Sequence, residues 1–319
     1  MPEPVFPKAL TLVEYSQRLN DSSLERAFLE TFVRESDVAA ALPIIGANNG
    51  KYSYTQEEEL PEVKHRGYNE PGNESKGKTS RQEEGVYLMD EYIKTDRALI
   101  DNKGPEERSK QEAMKTKEMA RHFTRDFLHG DNTSQMREPD GLKVRSLRGD
   151  QTIIHNSVVS GGGPLSLLSL DQAINQVRNP THIIVDRAFR PFLNSAARSP
   201  NLTNNMLNLD QKDPFGRNVL AFGELPFLFG YPKSRGDSIL PFNEVAFGGG
   251  AATTGSIFVV SMGEDGIFAI EGTSLQVTDE GQIPGVPFFS TYVKWDFGFV
   301  SKEYSMARID SVTLAPIVS

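Results

Sequence analysis

The side chains of this sequence best suited to acid–base or metal chemistry are five histidines, His65, His122, His129, His155 and His182, and three carboxylates, Asp186, Glu244 and Asp265. A metal site needs its ligands at short, repeated spacings, and no two of these histidines stand at one. A lone histidine is ordinarily a surface residue or a satisfied core residue. A hydrolase would have to draw its acid and base from the three carboxylates, and nothing in their spacing pairs them. Gly161-Gly162-Gly163-Pro164 could cradle a phosphate, but no helix N-terminus follows directly and no lysine is placed to help. A hinge at Gly161, Gly162 and Gly163 is the simpler expectation. Neither His-Glu-x-x-His nor Gly-x-Ser-x-Gly occurs, and no nucleotide-binding loop is expected. Arg148-Gly149-Asp150 and Arg235-Gly236-Asp237 spell an integrin-binding tripeptide that is more simply ordinary turn chemistry. No catalytic, cofactor-binding or metal-binding residue is expected, and no cofactor.

Composition sets further bounds. The 319 residues are 38% hydrophobic, enough for one large domain or two smaller ones. A net charge of -9 argues against a surface built to hold nucleic-acid phosphates, which would call for clustered Lys and Arg, though not against a protein that encloses nucleic acid. With no cysteine, neither a disulfide framework nor a thiolate metal site is possible. The start, Met1-Pro2-Glu3-Pro4-Val5-Phe6-Pro7, lacks a basic region followed by an apolar run, and no later segment is long enough to cross a bilayer. A soluble, unexported chain is expected.

The elements that must position these residues are dominated by one long polar ribbon, Asn48 to Asp101. It opens on Tyr52-Ser53-Tyr54, alternating as a half-buried strand does, and closes on the β-rich run Val86 to Lys94. Between them Gly67 to Asn73 and Gly77 mark a tip, studded with Lys76, Lys78, Arg81, Glu83 and Glu84. Strands of this length, at about 3.3 Å per residue, would carry the tip roughly 40 to 50 Å from its base. A lone two-stranded ribbon is marginal in water, so it is expected to lie against a neighbouring subunit. Its charges, Glu57, Glu58 and Glu59 against Lys76, Lys78 and Arg81, are either a solvated face or salt-dependent contacts between subunits.

Thr11-Leu12-Val13-Glu14 and Ser22-Ser23-Leu24-Glu25 fit the capping box, and Leu24, Phe28 and Phe32 recur at helical spacing in the second. Pro43 and Gly46 are expected to end that helix. Pro105-Glu106-Glu107 opens a longer one, with Ala113, Thr116, Ala120, Phe123 and Phe127 on one stripe and Gly130 as the stop. Ser169-Leu170-Asp171-Gln172 is expected to cap a helix to about Arg178, Thr181 to Val185 to be a buried strand, and Asp186 to cap a helix through Arg198. Strands follow at Asn218–Phe222 and Pro226–Phe229, then Ser256–Ser261 and Ile267–Glu271 joined as a hairpin by Gly263-Glu264-Asp265-Gly266. Val293, Trp295, Phe297 and Phe299 alternate with Lys294, Asp296 and Gly298 near the end. Segregated helices and antiparallel strands point to an α+β fold.

This order resembles the major capsid proteins of tailed double-stranded DNA phages, with the Hong Kong 97-like fold that encapsulins share. Thr181-His182-Ile183-Ile184-Val185-Asp186-Arg187, the run Ser256 to Gly266, and Trp295-Asp296-Phe297-Gly298-Phe299 carry the likeness most directly. The resemblance implies an N-terminal arm over 1–47, an extended β-hairpin loop over 48–95, a peripheral domain over 96–163 with a spine helix at 105–129, an axial domain inserted over 164–286, and peripheral closing strands over 287–319. It implies a structural role and no enzymatic one. Copies would assemble as pentamers and hexamers into an icosahedral head around double-stranded DNA, without sequence-specific binding and without a membrane. The partners implied are the chain itself with scaffolding, portal and decoration proteins; the location is the virion, after assembly in the host cytoplasm. About 47 residues precede the ribbon, which makes a separate scaffolding protein the expected arrangement. In part of the family a lysine on the extended loop is joined to a C-terminal asparagine. Here Lys76 and Lys78 are available, but no asparagine follows Asn243, so non-covalent shells are expected. The alternatives are an encapsulin-like nanocompartment shell and, more remotely, a β-rich hydrolase using Asp186, Glu244 or Asp265.

Overall fold

The computed structural model describes residues 10–12, 23–47, 50–198, 207–212, 218–230 and 238–318. Along the chain, β1 (Leu10–Thr11) precedes α1 (Ser23–Glu35), α2 (Asp37–Ala41) and β2 (Pro43–Gly46). Then come β3 (Lys51–Glu59), β4 (Lys78–Gly85), β5 (Tyr87–Asp96), α3 (Arg97–Lys103) and the long α4 (Glu106–His129). After α5 (Leu142–Arg145) and β6 (Thr152–His155) follow α6 (Leu167–Gln176), β7 (His182–Asp186) and α7 (Arg190–Ala197), the last entered through one 3-10 turn at Arg187–Phe189. The next strands are β8 (Leu207–Lys212), β9 (Asn218–Phe222), β10 (Leu225–Gly230), β11 (Glu244–Val245) and β12 (Ala252–Val260). Three strands close the fold, β13 (Ile267–Gln282), β14 (Phe288–Ser301) and β15 (Met306–Val312).

A five-stranded sheet has the order β1-β2-β13-β14-β5, and α4 lies across it. Trp295, Phe297 and Phe299 stand two apart on β14 and therefore on one face. Phe123 stacks on Trp295 at 5.1 Å between ring centroids and meets Phe297, Phe299 and Phe32 of α1 at 5.0 to 5.6 Å. Thr116, Met119, Ala120, Phe123 and Phe127 form the buried stripe of α4. Ala113, expected on that stripe, is exposed.

An eight-stranded mixed sheet has the path β6-β15-β12-β7-β10-β9-β8, with β11 added on β12. A second core, including Leu170, Ala173, Phe189 and Leu193, fills the space between this sheet and α6 and α7. The chain crosses between the two sheets three times, from β5 to β6, from β12 to β13 and from β14 to β15. The expected hairpin at Gly263–Gly266 does not form: β12 belongs to the eight-stranded sheet and β13 to the five-stranded one. Asp265-Gly266 does make a tight turn, with Ile267 N donating to Ser261 O at 2.7 Å, but it hands the chain from one sheet to the other. Likewise β15 pairs with β12 and β6, so the strands after 287 divide between the sheets.

Other local differences have simple causes. α1 stops at Glu35 because Ser36 caps α2, its Oγ accepting from Ala39 N at 3.0 Å; Pro43–Gly46 is a strand, parallel to β13. Thr11, expected to cap a helix, pairs with Pro43 in β1, and the rest of that motif lies outside the described residues. α6 begins two residues before Ser169, and its N-cap Ser166 makes no side-chain cap. Asp186 does cap, its Oδ1 accepting from Ala188 N at 2.6 Å.

Candidate functional site

Among the described strands β3 and β4 pair only with each other, in register from Lys51 opposite Gly85 to Glu57 opposite Thr79 and, after a one-residue shift, Glu59 opposite Lys78. The return strand of the ribbon is thus β4, not the run after Val86; that run is β5, an edge of the five-stranded sheet. Three inward residues of β3 seat its root: Tyr52 packs edge-on against Phe268 at 5.2 Å, Tyr54 Oη donates to Ser301 O at 3.3 Å, and Gln56 Nε2 donates to Glu303 Oε1 at 2.5 Å. Gly298 is needed beneath them, because the Gly85 carbonyl lies where a Cβ would be.

On the other strand Glu84, opposite Tyr52, turns inward to Arg145 of α5. Arg145 is 2% exposed. Its Nη1 and Nη2 donate to the two Glu84 oxygens at 2.7 and 3.1 Å, Nη2 also reaches Phe299 O at 2.8 Å, and Nε donates to Asp140 O at 2.7 Å. Arg148 joins Glu84 to Asp140 at 3.0 and 2.9 Å. Burial alone would raise the Glu84 carboxyl, but hydrogen bonds and charge from Arg145 and Arg148 more than offset it and hold the group below the ordinary range. The bidentate geometry is the strong form of the Arg–carboxylate contact. Of Arg148-Gly149-Asp150, Arg148 is accordingly part of a clamp; Arg235-Gly236-Asp237 lies outside the described residues.

Past this clamp the ribbon leaves the protein. Every residue from Glu57 to Thr79 is exposed, including Leu60, Val63 and Tyr68. The tip is nevertheless organised: Glu70 Oε2 accepts from Gly67 N at 2.9 Å, and Ser75 Oγ donates to Glu62 O at 2.7 Å. Lys78 approaches Glu59 across the strands at 3.7 Å, and Arg81 meets Glu83 at 3.2 Å and Ser53 Oγ at 3.0 Å. Glu57, Glu58 and Lys76 make no ion pair among the described residues. Gly72 to Thr79 spells the Gly-x-x-x-x-Gly-Lys-Thr pattern of phosphate loops. That chemistry requires a strand before and a helix N-terminus after it, whereas here an exposed tip runs into a strand.

The residues suited to acid–base chemistry are not brought together. Asp186 accepts from the Ser238 hydroxyl, Glu244 pairs with Arg308 and Lys143 at 2.8 Å each, and Asp265 meets Lys302 at 3.4 Å. His122 pairs with Asp126 at 2.9 Å, whose hydrogen bond raises its pKa; His129 lies 2.7 Å from Ile239 O; His155 pairs with Asp310 at 2.9 Å. Burial lowers His182 to about 4. Among the described residues no group of three or more His, Cys, Asp or Glu could hold a metal.

The fold is similar to that of the holo-SrpI encapsulin complex of Synechococcus elongatus PCC 7942, with a TM-score of 0.61 and 12% identity over 96% of this chain and 97% of that one. It is also similar to the capsid of the native GTA particle (0.58, 11%, covering 89% and 90%) and to a chain of Microbacterium phage Oxtober96 (0.58, 14%, covering 86% and 90%). No curated protein matches the sequence. Residues 21–170 match the family model of the major capsid protein GP7. The chain has the Hong Kong 97-like fold, and that stretch is similar to a major capsid protein.

In this fold Gly161 and Gly162 adopt left-handed φ values of +83° and +75°. A Cβ on Gly162 would sit 2.6 Å from Ser311 O. Gly161 N donates to Gly249 O at 2.8 Å and Gly163 N to Ser311 O at 3.1 Å. Positive φ and close approach therefore account for glycine here, in a turn strapped to β15. The clamp of Glu84, Asp140, Arg145 and Arg148 is what sequence reasoning missed. Its signal was faint: the alternation of Tyr52 and Tyr54 extends to Glu84 only once the cross-strand register is known.

Proposed function

We propose that copies of this capsid subunit close as pentamers and hexamers into an icosahedral head around double-stranded DNA, with the ribbon tip of each lying on a neighbour. The observation that carries this is the exposure of every residue from Glu57 to Thr79 beyond a root fixed by a buried arginine. A clamped base with a bare, internally ordered tip has the form of an arm made for another surface: among the described residues nothing covers Leu60, Val63 and Tyr68. Glu57, Glu58, Glu59, Lys76, Lys78 and Arg81 are assigned to that contact. In this proposal scaffolding, portal and decoration proteins are further partners, and assembly takes place in the host cytoplasm. We assign α4 and the five-stranded sheet to the peripheral part, and the eight-stranded sheet with α6 and α7 to the axial part.

The likeness to the encapsulin supports a second reading, a shell that encloses protein cargo. One experiment addresses the ribbon itself: residues 60–77 are replaced by a two-residue turn and the purified chain is viewed by electron microscopy. The expected result is folded subunits, with native circular dichroism, that give few or no closed shells. Normal shells with the heat and salt resistance of the wild type would overturn the assignment.

A further inference from the structure

We infer that the outer face of α7 is a binding site for the phosphate backbone of nucleic acid. Arg190, Asn194 and Arg198 recur every four residues and so lie along one stripe of this helix. With Arg187, Pro191 and Ser195 they line an open cleft of about 530 Å³. The three arginines are exposed, and neither Arg190 nor Arg198 makes an ion pair among the described residues. The Arg190 guanidinium lies 5.4 Å from the centre of the Phe229 ring, which restrains its plane.

The charge of the surrounding sequence points the same way. Residues 178–240 carry eight Lys and Arg against five Asp and Glu, a net +3 in a chain whose total is -9, which leaves -12 for the remainder. One of those five carboxylates, Asp186, is turned inward as a helix cap. Segregated positive charge in an acidic protein is the electrostatic footprint of a polyanion. Arginine with asparagine and serine is the donor set that holds phosphate oxygens without reading bases. From Arg190 to Arg198 the helix rises about 12 Å at 1.5 Å per residue, close to the ≈12 Å width of the B-DNA major groove. The two guanidiniums can therefore reach phosphates on both walls of one groove. An acidic protein segment would need no such spacing.

This inference rests on the capsid reading, and its test separates the two. Shells of the full chain are dissociated, and the subunits are titrated with fluorescent random-sequence 30-base-pair DNA at 50 to 200 mM salt. Wild type is expected to bind with an affinity that falls steeply as salt rises. Arg190→Ala/Arg198→Ala is expected to lose at least tenfold in affinity at the lowest salt and to flatten the log–log salt slope by about 1.8, since each phosphate contact contributes about 0.9. Arg190→Lys/Arg198→Lys should keep most of both. Unchanged melting and normal shells of the alanine variant show that the subunit and its assembly are intact, whatever the DNA result. Absent DNA binding, an unchanged alanine variant, or polyglutamate bound as tightly as DNA would overturn the inference.

Discussion

A guanidinium as buried as that of Arg145 costs several kcal/mol of lost hydration unless charge and hydrogen bonds offset it. Glu84 supplies both, with two contacts at 2.7 and 3.1 Å. Glu84→Ala should therefore destabilise the subunit by about 3–5 kcal/mol in denaturant unfolding, most of it the cost of leaving Arg145 unpaired. Adding Arg145→Leu should recover a substantial part. Equal midpoints for wild type and Glu84→Ala would show that the clamp carries no stability. The pH dependence has a definite sign. The folded state holds Glu84 below its unfolded pKa of about 4.3, so the stabilisation is complete above that value and is lost as pH falls through the lower folded value. In the sequence Glu83 and Glu84 are indistinguishable. Only Glu84 faces inward, and that depends on a register set by residues thirty positions away.

Elements whose pattern is internal to them were legible in the sequence. The alternation of Val293, Trp295, Phe297 and Phe299 needs nothing but period two, and all four are buried on β14. The stripe of α4 needs only helical spacing, and it fails solely at Ala113, which is exposed. Phe123 is the centre of that contact, fully buried among Phe32, Trp295, Phe297 and Phe299. Phe123→Asp would place a carboxylate there with no cation beside it, a cost the fold cannot absorb. The expected result is insoluble or absent subunit on expression, and Phe123→Leu should remain soluble with a lowered melting temperature. A soluble Asp variant with wild-type melting would mean that this face of the helix meets water.

At the scale of the molecule, element order was legible and sheet membership was not. Asp265-Gly266 between two apolar runs is a hairpin signal on local grounds, yet the choice of partner for β13 was decided by β14 and β2, one of them more than 200 residues earlier. The same non-locality hid the place of β15, and it made β5 look like half of the ribbon. What survived was the polar, exposed tip of the ribbon; the clamp at its root depends on a cross-strand register and was not legible. The most direct measurement is a cryo-electron microscopy map of particles formed by the full chain. Closed shells in which residues 57–79 lie on an adjacent subunit, with Leu60, Val63 and Tyr68 covered, are the expected result. Shells whose ribbons stand free in solvent, or a chain that stays monomeric at every concentration and salt tried, would contradict it.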